Sequence, residues 1–220
     1  MTSLKTYSEQ ITEHIKKMLL DGSLKPGDKV NEVHLASALS ISRAPIREAL
    51  QMLVREDIIV YIPQRGKYIK ALTCKEILDS YFIGGVLEGA AVALTCNQFE
   101  EADYLKIEAI LQEMQALQNG FKPEEFMRLD GAFHNSILHY SGTEMILEHT
   151  RSLCERVSKF LLVRHWPLCF SLKESVERHR KVYEMLRTRE KLDIELCIRE
   201  HYFELGKRMA EFGCETPEYH

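Results

Sequence analysis

Helical apolar spacing over residues 7–56, a β-branched hairpin pattern over 58–70 and uninterrupted helix signals from Thr73 onward predict a mainly α protein. In this fold class an N-terminal winged helix-turn-helix, residues 1–72, is followed by an all-α helical bundle, residues 73–220.

The first helix opens on Thr6-Tyr-Ser-Glu9, a capping box, and buries Ile11, Ile15, Met18 and Leu19 before Asp21-Gly22 stops it. Lys25-Pro-Gly-Asp28 is turn chemistry. Asn31 caps a second helix, Glu32 to Leu39, that turns Leu35, Ala36 and Leu39 inward. After the short turn Ser40-Ile41, Ser42 caps a third helix with Pro45 in its first turn, where a missing N–H costs nothing. This helix runs to about Glu56 and buries Ile46, Leu50 and Leu53. Ile58–Ile62 and Lys67–Lys70 flank the turn Pro63-Gln-Arg-Gly66, a two-stranded wing.

Charge separates the two parts. Residues 1–72 hold 11 Lys/Arg and 8 Asp/Glu, whereas the remainder holds 18 and 25, so a basic head (+3) precedes an acidic body (−7). A basic head with two short helices joined by a tight turn suits the DNA major groove, entered by the N-terminus of the second helix of the pair. At that end Arg43 and Arg47 are four apart and share a face, Ser42 can reach a phosphate, and Ala44 allows close approach. Arg65, Gly66 and Lys67 at the wing tip can meet the DNA backbone or minor groove.

The body reads as six helices, about 74–96, 99–118, 123–140, 143–165, 171–188 and 191–212, the first opened by the capping box Thr73-Cys-Lys-Glu76. Asp130 and His134 are i, i+4 on one helix face. His179 and His201 lie equally far from the turn near residue 190, so an antiparallel hairpin brings them to one level. Spacing leaves two readings open: separate structural side chains, or a divalent metal site for zinc, nickel or manganese.

The remaining features bound the function. No apolar run approaches the ~20 residues that span a bilayer, and Met1-Thr-Ser-Leu-Lys5 lacks a signal-peptide core. A cytoplasmic location without a membrane partner is expected. Six cysteines without a Cys-x-x-Cys pair read as buried or idle thiols. There is no Gly-rich phosphate loop, Gly-x-Ser-x-Gly or His-Glu-x-x-His, and Glu177, two residues from His179, points away on a helix. A non-enzymatic protein is therefore expected, with a metal-dependent enzyme or a metal sensor as the alternatives.

Two stretches carry a family resemblance. Gly22-x-Leu24-x-Pro26-Gly27, Asn31-Glu32-x-x-Leu35-Ala36, and Ile41-Ser-Arg-Ala-Pro-Ile-Arg-Glu-Ala-Leu50, closing on Gly66, resemble the GntR family of bacterial transcription regulators. Leu87-Glu88, Asp130-x-x-Phe133-His134, Glu177-x-His179 and His201 resemble the FCD effector domain of its FadR subfamily. The resemblance implies a homodimer whose Arg43 and Arg47 read operator bases. It also implies a metal held by Asp130, His134, His179 and His201, and a small-molecule effector, an organic acid, bound at that metal. Val33 stands where some members have a DNA-contacting arginine. Gly84 stands where many have an arginine that clamps the effector carboxylate, with Arg156 and Lys159 as candidate replacements.

Overall fold

The computed structural model describes residues 5–120, 122–141, 145, 146, 148–150 and 160–214. Among them the chain divides into two compact units: residues 5–73 with 160–164 and 214, and residues 74–150 with 165–213.

In the first unit, α1 (Tyr7–Asp21) begins on the Thr6–Glu9 capping box and ends at Gly22, whose φ of +79° is the left-handed geometry glycine tolerates best. Helix α2 (Glu32–Leu39) is capped by Asn31, whose side chain accepts from the Val33 and His34 amides. Helix α3 (Arg43–Arg55) buries Ile46, Ala49, Leu50 and Leu53 against α1 and α2. Ser42 sits at its N-cap position, but its side chain makes no capping hydrogen bond, contrary to expectation. The wing is a three-stranded sheet rather than two-stranded. Strands β2 (Ile59–Ile62) and β3 (Gly66–Ile69) form the expected hairpin, and β1 (Lys29–Val30) pairs with the other edge of β3. Two residues are too short for a periodic signal; β1 owes its place to the Gly27-Asp28 turn, whose amide and carbonyl bond Ile69.

The second unit contains helices and no strand among its described residues. It comprises α4 (Cys74–Thr95), α5 (Glu101–Ala116), α6 (Pro123–Ile137), the short α7 (Trp166–Cys169), α8 (Leu172–Thr188) and α9 (Lys191–Gly213). The predicted helix 143–165 falls largely outside the described residues, and α7, with Pro167 inside its first turn, replaces the expected break. By length and composition Cys74–Gln98 is apolar enough to cross a bilayer, contrary to the expectation of no such run. Asp79 and Glu88 disguise it in the sequence, and Ile77, Tyr81, Ala91 and Val92 are buried in the bundle core.

Helix α4 packs most extensively on α9, and glycines set how closely. A Cβ at Gly85 would lie 2.8 Å from Tyr202 Cβ, and one at Gly206 would lie 2.7 Å from Tyr81 Cβ. Elsewhere α5 packs on α6 and α8, and α8 packs on α9 across the turn at Arg189.

Candidate functional site

At the head, Ser42, Arg43, Ala44 and Arg47 are all exposed at the start of α3. Helix α3 presents them because its other face is consumed by the Ile46–Leu50–Leu53 core. With no capping bond, the Ser42 hydroxyl stays at the surface alongside the helix N-terminal amides, an arrangement suited to a phosphate. Glu32 on α2 lies 3.6 Å from Arg47 Nε and 2.6 Å from Lys67 Nζ. The Lys67 hydrogen bond, against partial burial, holds the Glu32 carboxyl below its usual range. Lys67 is therefore turned toward α2 and ties the wing to the helix pair. Arg65 is exposed in the turn before Gly66, whose φ is +108°.

In the bundle, His134, His179 and His201 offer nitrogens that lie within 4.8 Å of one another. The His179 and His201 rings are 4.8 Å apart, and both stand about as near His134, at 5.6 and 5.5 Å. The antiparallel α8–α9 hairpin places the first two at one level, and α6 delivers His134 and Asp130. Asp130 Oδ1 is 3.0 Å from His179 Nε2 and 3.9 Å from His134 Nε2. The three histidines, separated in sequence, thus cluster, and Asp130 lies beside two of them, His179 and His134.

Hydrogen bonding fixes which atoms face inward. His179 Nδ1–H donates to the Ser175 carbonyl at 2.7 Å. His134 Nδ1–H donates to Glu88 Oε1 at 2.6 Å. A neutral imidazole has one N–H, so in its neutral form each ring turns an Nε2 lone pair toward Asp130, whereas in its imidazolium form it turns an Nε2–H, as in the His179 Nε2–Asp130 hydrogen bond of 3.0 Å. Two lone pairs facing a carboxylate require a cation between them, either protons or a metal ion. His201 Nδ1 is buried with no hydrogen-bond partner among the described residues, an unsatisfied atom of the kind a metal would use.

The donor set of three imidazoles and one carboxylate therefore fits a divalent ion. With metal–nitrogen bonds of about 2.1 Å, neighbouring donors stand roughly 3–3.4 Å apart, so the side chains would close by about an ångström onto an ion.

Protonation follows the same pattern. Burial opposes the His134 imidazolium, but Glu88 and then Asp130 outweigh it and raise the group to about 9. Burial, reinforced by His179 and Arg178, pushes His201 well below its ordinary value. Burial also works against the Asp130 carboxylate, yet the His179 hydrogen bond and the charge of His134 hold it below the usual range.

Three participants escaped the sequence reading. Glu88 is 1% exposed and accepts from both His134 and the Tyr202 hydroxyl, at 2.6 and 2.9 Å. Arg178 stacks on Phe170 at 4.0 Å, donates to the His201 carbonyl and acts electrostatically on Asp130. Glu88 was visible only as part of a motif, and neither Tyr202 nor Arg178 had a helical spacing to betray it. Gly84 is buried on α4, while Arg156 and Lys159 lie outside the described residues. Glu177 is exposed and 3.8 Å from Lys173, directed away from the histidines as expected.

Cys96, Cys169 and Cys197 are free and buried. Burial raises Cys169 to about 11 and Cys197 in the same direction, so both thiols are poor nucleophiles. Cys74 and Cys214 are disulfide-bonded, a correction to the idle-thiol expectation; neither has the spacing that would reveal it.

A winged helix presenting exposed arginines, joined in one chain to a helical domain with a buried polar centre, defines a DNA-binding transcription regulator with a sensory domain. Residues 7–69 match the family described as bacterial regulatory proteins, gntR family, and residues 79–204 match the FCD domain. The chain belongs to the GntR family and carries an FCD domain. It is 30% identical over 172 residues to the Nta operon transcriptional regulator of Aminobacter aminovorans, covering 78% of this chain and 80% of that protein. It is 29% identical over 189 residues to the HTH-type transcriptional regulator YdhC of Bacillus subtilis, covering 84% and 83%. The fold is shared with E. coli McbR/YncC, with a TM-score of 0.71, 23% identity and coverage of 90% of this chain and 94% of that one. Family and relatives are transcription regulators, not enzymes.

Proposed function

We propose that the protein is a homodimeric, cytoplasmic regulator whose operator affinity is set by a small organic acid bound at a divalent metal in the helical bundle. The carrying observation is the clustering of the His134, His179 and His201 nitrogens within 4.8 Å of one another, with the Asp130 carboxylate 3.0 Å from His179 Nε2 and His201 Nδ1 buried without a hydrogen-bond partner among the described residues. Asp130, His134, His179 and His201 would hold the metal, which when bound supplies a Lewis-acidic position for a carboxylate oxygen. Zinc, nickel and manganese all accept this donor set. With glycine at position 84, Arg178, which pairs with Glu204 at 3.3 Å and acts electrostatically on Asp130, is the positive charge a carboxylate effector would meet.

At the head, Arg43 and Arg47 read base edges, Ser42 and the amides beside Ala44 meet phosphate, and Arg65 and Gly66 set the wing against the duplex while Lys67, paired with Glu32, holds the wing to α2. Leu78, Phe82 and Ile83 form an exposed apolar face on α4, which supports association with a second copy. Two-fold symmetry then gives a near-palindromic operator. An effector that binds one dimer arrangement better shifts the population competent for DNA.

The test is a thermal-shift screen of the zinc-loaded protein against a panel of small mono-, di- and tricarboxylic acids, followed by operator titrations with each hit. A stabilising acid that changes operator affinity is expected. A panel without hits, or hits that leave operator affinity unchanged, would overturn the effector reading.

A further inference from the structure

The three histidines are not held alike. His179 is fixed by a backbone carbonyl of its own helix, one turn back. His134 is fixed from another helix, by Glu88 of α4, and Glu88 is fixed in turn by Tyr202 of α9. The carboxylate is 1% exposed, so water does not compete for it, and among the described residues each oxygen has one protein donor: Nδ1–H on Oε1, the phenol on Oε2. Tyr202 also packs on the ring it steadies, with centroids 5.5 Å apart.

Gly85 makes this arrangement possible. Gly85 and Glu88 are i, i+3, so they share the α4 face that meets α9. A Cβ on Gly85 would lie 2.8 Å from Tyr202 Cβ, 3.3 Å from its Cγ and 3.3 Å from the Arg199 backbone. These atoms are the root of the side chain and the helix itself, and neither can rotate away. Any larger residue at 85 would therefore drive α9 off α4 and lift the phenol from Glu88.

We infer that Gly85, Glu88 and Tyr202 form a brace that holds His134 in one tautomer and orientation, with Nε2 as the ligand atom. Glu88 and Tyr202 are positioning residues for the metal. The inference rests on the metal centre proposed above. It also gives a physical reason for the glycine next to Gly84: Gly85 carries a requirement of helix approach, whatever the effector.

Outer hydrogen-bond partners of metal-bound histidines typically contribute about 10–100-fold in metal affinity. The test titrates Co²⁺ and Zn²⁺ alone into the full-length wild type, Tyr202→Phe, Glu88→Gln and Gly85→Ala, and follows the cobalt d–d spectrum as well as the dissociation constant. Glu88→Gln should weaken zinc about 10–100-fold. Tyr202→Phe, which removes one oxygen atom and keeps the fold, should weaken it by a smaller factor. Both should alter the cobalt spectrum, and Gly85→Ala should reproduce Tyr202→Phe. If Tyr202→Phe loses only thermal stability and keeps the wild-type spectrum and affinity, the brace is structural and the inference fails. If the wild type itself gives no cobalt spectrum, the metal centre fails first and the brace with it.

Discussion

Replacing Arg47 with alanine tests the head most sharply. Arg47 is exposed at the leading end of α3, one turn from Arg43, and among the described residues its one charged contact is Glu32 at 3.6 Å. That surface pair contributes at most about 1 kcal/mol, so it cannot hold the guanidinium back from DNA. A bidentate arginine–guanine contact discriminates by about 1–3 kcal/mol. Two heads on a palindrome double this to roughly 2–6 kcal/mol, a loss of about 30-fold to about 20,000-fold in operator affinity. Binding to scrambled duplex should fall much less, because there Arg47 acts only as one positive charge among many. The assay is fluorescence anisotropy at one fixed salt concentration, on an operator recovered by selection and on its scrambled control. Equal losses on the two duplexes would refute base readout by Arg47 and leave it a phosphate contact.

Other outcomes follow from the bundle. Trp166 is the sole tryptophan, its ring 5.0 Å from Phe126, which stands 6.3 Å from the His179 ring. Zinc should therefore shift its emission in the wild type but not in His179→Ala; an unchanged spectrum at zinc saturation contradicts the placement. Zinc must displace the proton that Glu88 and Asp130 hold on His134 up to about 9. Its affinity should thus fall about tenfold per pH unit on acidification below that value for each proton displaced, and a pH-independent affinity would contradict this. In the head, Leu50→Ala removes a side chain that is 0% exposed and should cost about 2–5 kcal/mol in chemical denaturation, with zinc affinity unaltered.

The elements of the head were legible because local chemistry marks their ends. Thr6 with Glu9, Asn31, Pro45 and Gly66 each carry a boundary signal that needs no tertiary context. Strand β1 was not legible, since two residues have no period and Lys29–Val30 becomes a strand only by meeting β3. In the bundle, i, i+4 spacing linked Asp130 to His134, and hairpin symmetry linked His179 to His201. Joining those two pairs needed the packing of α6 on the hairpin, which spacing does not encode. Glu88, Arg178 and Tyr202 come from contacts between helices distant in sequence. The same limit hid the role of Gly85, whose requirement appears only when Tyr202 is placed against it.

The central claim is that the histidine centre holds a metal. Elemental analysis of the purified wild type and of the His134→Ala/His179→Ala double variant tests it directly. The account predicts about one divalent transition metal per wild-type chain and essentially none in the folded double variant. A wild type without metal, or a double variant with unchanged content, would contradict it.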